Sequence, residues 1–375
     1  MELKRKCRYF PGDRPCKFHK EKRTICSDCL HYSPINHKTL IIKLGAMGDV
    51  LRTTAILTPL KKEFPNSTIT WVTLTSSLDL FQGNPYVNEV LDYRHDALPR
   101  IMTEEYDLII NPDTDKLSSS LATLARGKKK LGFGLDSKGV VFCFNPEAEL
   151  WLEMGAFDDL KKNNRLTYQE IILNICQLPK EDYPIVLNLL PEELEIGKRF
   201  ASENLLSGSK RILGLYTGAG DRWKMKSWPE EGFRGLIKKV LKETDLKILL
   251  YGGPDVQDKN AHLHSEFLNS GRVINTGTNN SLRTFFSLLN LSDIIVTGDT
   301  MALHVGLALR KKVVGLFGPT SAAEIEMYGQ GIKITGKVDC LCCYRESCTE
   351  SPNCMETITP EMVFIAIQEL LEEIG

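Results

Sequence analysis

The chain reads as an α/β protein of two Rossmann-like, doubly wound domains facing a cleft, with a Cys-rich arm ahead of them. Three observations predict this. From residue 39 onward short apolar runs alternate with segments of helical spacing, the alternation lapses around 133–184, and it then restarts within a chain of 375 residues, long enough for two cores. The predicted divisions are 1–38 for the arm, 39–180 for an N-terminal domain, 181–358 for a C-terminal domain and 359–375 for a last helix.

In the first half, 39–44 (TLIIKL) has the continuous apolar character of a buried strand. It is closed by the turn from Gly45 to Asp49, and 50–63 then carries apolar residues at helical spacing. Further strands are predicted at 68–74, 90–93 and 107–110, with a helix over 117–126. After an irregular stretch containing a helix at 168–176, strands recur at 211–216, 247–251, 272–275, 293–297 and 312–317, separated by helices including 228–243 and 281–291. The last helix, 360–374, has a Thr-Pro start and an apolar stripe. Ligands of parallel sheets bind beyond the carboxyl ends of the strands, so the motifs that matter should lie there.

Composition narrows the function. The chain is 42% hydrophobic and 25% charged, with a net charge of -1, and no apolar run approaches the ~20 residues of a membrane span. An apolar signal segment is also missing at the start, so a cytoplasmic location is expected. Charge is unevenly spread: residues 1–38 hold ten Lys/Arg against four Asp/Glu, leaving -7 on the remainder. A nucleic-acid partner is not expected from this balance, although the arm suits an anionic surface.

Three strand-end motifs carry the chemistry. In Gly45-Ala-Met-Gly48-Asp49-Val-Leu-Arg52, the glycines permit a sharp turn and close approach, and Asp49 enters the first turn of a helix. It serves there either as a helix cap or as a base that takes a proton from an attacking hydroxyl. Thr217-Gly218-Ala-Gly220, followed by Lys226, joins a strand to a helix and suits a diphosphate, though Lys226 alone also reads as a surface lysine. In Gly298-Asp299-Thr300-Met301-Ala-Leu-His304, Asp299 and Thr300 lie at a helix start with His304 about one turn on, placed either for phosphate or in the core. Asp255, after Gly252-Gly253-Pro254, is a turn residue or a ribose ligand, and Asp113-Thr-Asp115 has the spacing of an acidic metal motif.

The ordered set IIKLGAMGDVLRTT, GAGDRWKMKSWPEEGF, LLYGGP, TGDTMALHVGLAL and VVGLFGPT resembles glycosyltransferase family 9, the ADP-heptose:lipopolysaccharide heptosyltransferases. The resemblance implies a GT-B arrangement, with the acceptor held by the N-terminal domain and the nucleotide sugar by the C-terminal one. It implies inversion at the anomeric centre with no cofactor required for transfer. By position, Asp49 resembles the catalytic base, and Gly48 and Arg52 fall on the acceptor side. Thr217, Gly218 and Lys226 resemble the diphosphate clamp, while Asp299, Thr300, Met301 and His304 match the donor-phosphate motif. Asp255 stands where the family usually has a ribose-binding Glu, and Met301 replaces a common Gly. The implied partners are a nucleotide-sugar donor, with ADP-heptose expected, and an anionic glycolipid acceptor like the lipopolysaccharide core, met by peripheral contact with the inner membrane. Arg52, Lys128, Lys129, Lys130 and the arm are candidates for its phosphates or for lipid head groups. A sugar-nucleotide epimerase on the same architecture, a protein-acceptor heptosyltransferase and a non-catalytic metal-sensing scaffold are the competing readings.

Eleven cysteines remain to be explained. Cys7, Cys16, Cys26 and Cys29 lie in the arm with His19 and His31 nearby, and Cys340, Cys343, Cys348 and Cys354 lie near the C-terminus. Either set has the number and type of ligands for structural zinc or iron, and either can be read as reduced thiols; the arm, short, basic and poor in apolar core, favours metal, and the later cluster favours plain thiols. Cys143 and Cys176 sit in apolar contexts and read as buried residues; Cys342 is left unassigned.

Overall fold

The computed structural model describes residues 2–206, 208, 211–220, 225–345 and 347–375. Its first sheet comprises β1 (His37–Ile42), β2 (Ser67–Thr73), β3 (Glu89–Asp92), β4 (Glu105–Asn111), β5 (Arg126–Leu135) and β6 (Val141–Cys143), in the order β3-β2-β1-β4-β5-β6. The second comprises β7 (Ile212–Tyr216), β8 (Lys247–Tyr251), β9 (Val273–Asn275), β10 (Ile294–Gly298), β11 (Lys312–Phe317) and β12 (Gly331–Thr335), in the order β12-β11-β10-β7-β8-β9. Counted within its own half, each sheet has the doubly wound order 3-2-1-4-5-6. All pairings are parallel except β5 with β6. The chain reverses its winding between β1 and β4 and between β7 and β10, where crevices open at the carboxyl ends.

Burial follows the predicted pattern in the central strands. Leu40, Ile41 and Ile42 of β1 and Ile295 and Val296 of β10 are inaccessible to solvent, because helices cover both sheet faces. Three strands were not legible in the sequence: β5, β6 and β12. The first half of β5 pairs only with β4, since β6 meets it at residues 133–135, and that half carries Lys128, Lys129 and Lys130. Lysine on an edge strand blocks further pairing and hides the strand from a search for apolar runs.

A single apolar cluster runs from Ile41 and Trp71 through Tyr168, Tyr183 and Val186 to Tyr251, Phe286 and Phe317, so the two halves share packed side chains. The connecting chain stays on the first half as far as Val186, whose N–H donates to Thr54 Oγ1 at 2.9 Å. Helix Pro191–Glu203 then joins the second half, where buried Arg283 grips Glu193 through two hydrogen bonds. Helix Pro360–Ile374 closes the back of the second sheet, with Val363, Phe364 and Ile367 packed among the same cluster as Phe233 and Leu236 of helix Glu230–Glu243. No described helix is long and apolar enough to cross a membrane.

Candidate active site

A cavity of about 540 Å³ lies between the two sheets, walled by the segments that follow β1, β7, β10 and β11. Asp49 and Arg52 reach it from helix Met47–Thr53, and Met301 and His304 from helix Met301–Ala308, which faces the first across the cleft. The two helices approach closely at Gly48: a methyl group there would come within 3.1 Å of His304 Cδ2 and 3.7 Å of the Met301 Cα. Glycine at this position lets the two halves of the site meet.

Asp49 is 38% exposed at its side chain and forms an ion pair with Arg52, Oδ1 to Nη2, at 2.8 Å. Partial burial pushes its pKa up, but Arg52, Lys43 and His304 outweigh this, so the carboxylate lies below the usual range. Arg52 is buried, and its guanidinium lies 3.7 Å from the centre of the Tyr168 ring. Behind them Lys43 pairs with Asp113 at 3.1 Å; burial opposes the lysine's charge, but Tyr168, Asp113 and Asp49 hold it protonated. Asp113 is therefore engaged, and Asp115 caps helix Lys116–Leu124 by accepting from Leu117 and Ser118, which gives the acidic pair structural roles.

On the opposite wall Lys226 Nζ donates to Asp299 Oδ2 at 2.7 Å. Burial acts to raise the Asp299 pKa, but Lys226 overcomes it and brings the value down to about 2. His304 is only 5% exposed, and burial followed by the Arg52 charge lowers its pKa to about 4, so the imidazole is neutral near pH 7. Thr300 Oγ1 accepts from the Ala302 N–H at 3.2 Å and contacts Thr297 Oγ1 at 2.9 Å, which makes Thr300 the cap of its helix.

The structure brings together Gly48, Asp49, Arg52, Lys226, Asp299, Thr300, Met301 and His304 on one cavity. Thr217 lies apart: it is fully buried, with its hydroxyl donated to Asn260 Oδ1 at 2.6 Å, turned toward the domain core. Gly218 and Asp255 adjoin each other, and a methyl group on Gly218 would lie 3.3 Å from Asp255 Oδ2; neither lines the cavity, whereas Ala219 and Gly220 do. Residues 221–224 of the second motif lie outside the described residues. Lys128 pairs with Asp107, Lys129 donates to Gln177, and Lys130 donates to the Ala122 and Thr123 carbonyls, all away from the cavity.

Part of the wall was not legible in the sequence motifs. Thr320, Ser321 and Glu324 follow β11, the neighbour of β10, and the strand-end rule applied to Gly318-Pro-Thr would have found them. Tyr344 had no local signal. It sits inside the Cys-rich segment, yet its hydroxyl donates to Glu324 Oε1 at 3.0 Å and accepts from the Ser321 N–H at 3.2 Å. Burial raises the Glu324 pKa against the pull of Arg52 and Tyr344. Two cavity-lining groups, Arg52 Nε and Thr320 Oγ1, are buried with no hydrogen-bond partner among the described residues, which suits a polar ligand.

The cysteines are free thiols. Cys354 is buried, Cys343 half-buried, and Cys340 and Cys348 exposed; burial and then the neighbouring Cys343, Cys348 and Cys340 raise the Cys354 pKa. Cys176 is buried as expected, while Cys143 is half-buried. Among the described residues no three His, Cys, Asp or Glu side chains stand together at the geometry of a metal site.

Comparison with known proteins gives a consistent result. A family model for glycosyltransferase family 9 (heptosyltransferase) matches residues 96–353. Lipooligosaccharide heptosyltransferase 2 of Haemophilus influenzae is 22% identical over 366 residues, spanning 88% of this chain and 99% of its own. The crystal structure of a family 9 glycosyl transferase from Veillonella parvula superposes with a TM-score of 0.70 at 18% identity, over 90% of this chain and 98% of that one. An Escherichia coli heptosyltransferase solved with ADP-2-deoxy-2-fluoro heptose gives 0.58 at 20% identity, over 88% and 99%.

Proposed function

The chain belongs to glycosyltransferase family 9, and from that premise we propose that it moves a heptose from ADP-heptose onto an anionic acceptor of the lipopolysaccharide-core type, inverting the anomeric centre. The observation that carries this reading is the convergence of Asp49 with Lys226, Asp299 and His304 across one cavity. The Haemophilus relative is named for heptose transfer, and the E. coli structure holds an ADP-heptose analogue, which supports the same donor class.

In this mechanism the acceptor hydroxyl enters beside Asp49. Its oxygen forms a bond to the anomeric carbon while the bond from that carbon to the diphosphate oxygen breaks on the opposite face. The diphosphate leaves with the electron pair, and Asp49 takes the hydroxyl proton. A carboxylate with a lowered pKa is a weak base toward a free alcohol, so the proton moves late, once the attacking oxygen has become acidic. Charge growing on the diphosphate meets the Lys226 ammonium and the positive end of helix Met301–Ala308. Neutral His304 adds a hydrogen-bonding ring without adding charge. Arg52, held by Asp49 and Tyr168, is in this reading the cation that meets an acceptor phosphate, and the reaction runs at the inner face of the inner membrane.

The test is incubation of the purified chain with ADP-heptose and a heptose-deficient core acceptor, read by mass spectrometry. The expected result is an acceptor one heptose heavier, with ADP released. Release of an altered nucleotide sugar without a change in the acceptor would support the epimerase reading and overturn this one.

A further inference from the structure

We propose that the arm, residues 2–38, binds one structural zinc ion on the thiolates of Cys7, Cys16, Cys26 and Cys29. This goes beyond sugar transfer and does not depend on it.

The arm has no core of its own. None of residues 2–38 is buried, and the first buried side chain among the described residues is Thr39. The segment instead folds around a cavity of about 520 Å³, and all four of these cysteines line it. Three separate pieces of backbone bring them there. Cys7 is paired with Pro34 by an isolated bridge, braced by Arg8 N–H to Ser33 O and Ile35 N–H to Lys6 O. Cys16 precedes helix Lys17–Lys22, with its carbonyl accepting from Lys20. Cys26 opens the single turn Cys26–Asp28 and Cys29 follows it, a two-residue spacing that lets both sulfurs face one ion.

The histidines divide by position. His19 lines the same cavity, and its ring Nδ1 lies 3.0 Å from the Thr24 carbonyl, so Nδ1 donates there and Nε2 is the ring nitrogen left for other partners. That places His19 beside the four sulfurs as a hydrogen-bonding or substitute donor. His31 instead stacks on Phe18 at 3.9 Å and is absent from the cavity wall.

A segment this short, without buried side chains, is held together by contacts such as Lys17 over the Tyr9 and Phe18 rings, which are exposed and weak. A tetrathiolate ion supplies the missing centre. Binding replaces four S–H bonds by four metal–sulfur bonds of about 2.3 Å and releases four protons to solvent. The thiols do not already stand at that geometry, so the ion draws them in from the cavity walls. Four soft sulfur ligands and no open coordination position favour a structural zinc site. The location is remote from the cleft: the arm leads into the amino end of β1, with Asn36 N–H donating to Asn66 O just before β2, whereas the cleft lies at the carboxyl ends.

The test uses the full chain, purified without chelators or a metal-affinity tag, with metal content measured by inductively coupled plasma mass spectrometry. One zinc per chain is expected. Cys26→Ser with Cys29→Ser should lower it by roughly tenfold or more, while Cys340→Ser with Cys354→Ser should leave it unchanged. The metal-free wild-type chain should take up Co²⁺ with the spectrum of a tetrahedral thiolate site, a readout that stands even if the double variant fails to fold. Zinc absent together with no Co²⁺ uptake, iron in its place, or zinc lost only with the C-terminal pair would each overturn the proposal.

Discussion

Asp49 illustrates how position and charge combine at a single residue. It stands one residue beyond the glycine that admits His304, and three neighbouring cationic or ring groups hold its carboxylate ionised. Replacing it by Asn keeps the shape and the contact with Arg52 but removes the proton acceptor. Transfer should fall by about 10³-fold while ADP affinity, measured by calorimetry, changes by less than about threefold. Since the pKa lies below its ordinary value of 3.8, no acid limb belonging to Asp49 is expected in kcat/KM above that pH. A limb near neutrality that vanishes in Asp49→Asn would contradict this assignment. Lys226→Met acts on the other wall, removing the ammonium that pairs with half-buried Asp299. Denaturant unfolding should show a loss of about 2 kcal/mol, and ADP should bind about tenfold more weakly.

At the scale of elements, the site depends on how closely helices Met47–Thr53 and Met301–Ala308 approach. Gly48→Val would press a branched side chain onto His304 and force the helices apart. We expect kcat/KM to fall at least about tenfold with little change in the unfolding midpoint, because misplacement of reacting groups costs more than the local repacking. The Cys-rich segment matters here through Tyr344, which ties it to Glu324 and Ser321 in the cleft wall. Tyr344→Phe should destabilise the fold by about 1–2 kcal/mol, since buried Glu324 then loses its tyrosine donor. A crystal structure showing the wall unmoved and an unchanged substrate KM would refute a positioning role for this tyrosine.

For the whole molecule, the neutral buried histidine makes stability depend on pH. His304 titrates near 4 when folded and near 6.5 when unfolded, so below pH 6.5 the unfolded chain takes up a proton that the folded chain refuses. Stability therefore falls as pH drops from about 6.5 toward 4, by about 2 kcal/mol between pH 7 and pH 5. Asp299 adds a further loss only between 3.8 and about 2, because its folded pKa is depressed. Urea unfolding of His304→Gln at pH 7 and pH 5 should show a smaller difference than wild type. An equal difference would assign the acid sensitivity elsewhere.

The sequence by itself determined the two-sheet architecture, since continuous apolar strands and periodic helices can be buried in few other ways, and it located Asp49, Lys226, Asp299 and His304 because each follows a strand at a glycine turn. Edge strands escaped it, for the lysines that protect β5 also erase its apolar signature. Which strand-end residues face the cleft depends on long-range packing. Thr217 and Asp299 have the same local setting, yet Thr217 turns inward to Asn260 while Asp299 turns to Lys226. Tyr344 reaches the site from a segment with no motif for it. Local spacing specifies backbone conformation, but the direction a polar side chain takes is set by the partners that packing brings from elsewhere in the chain.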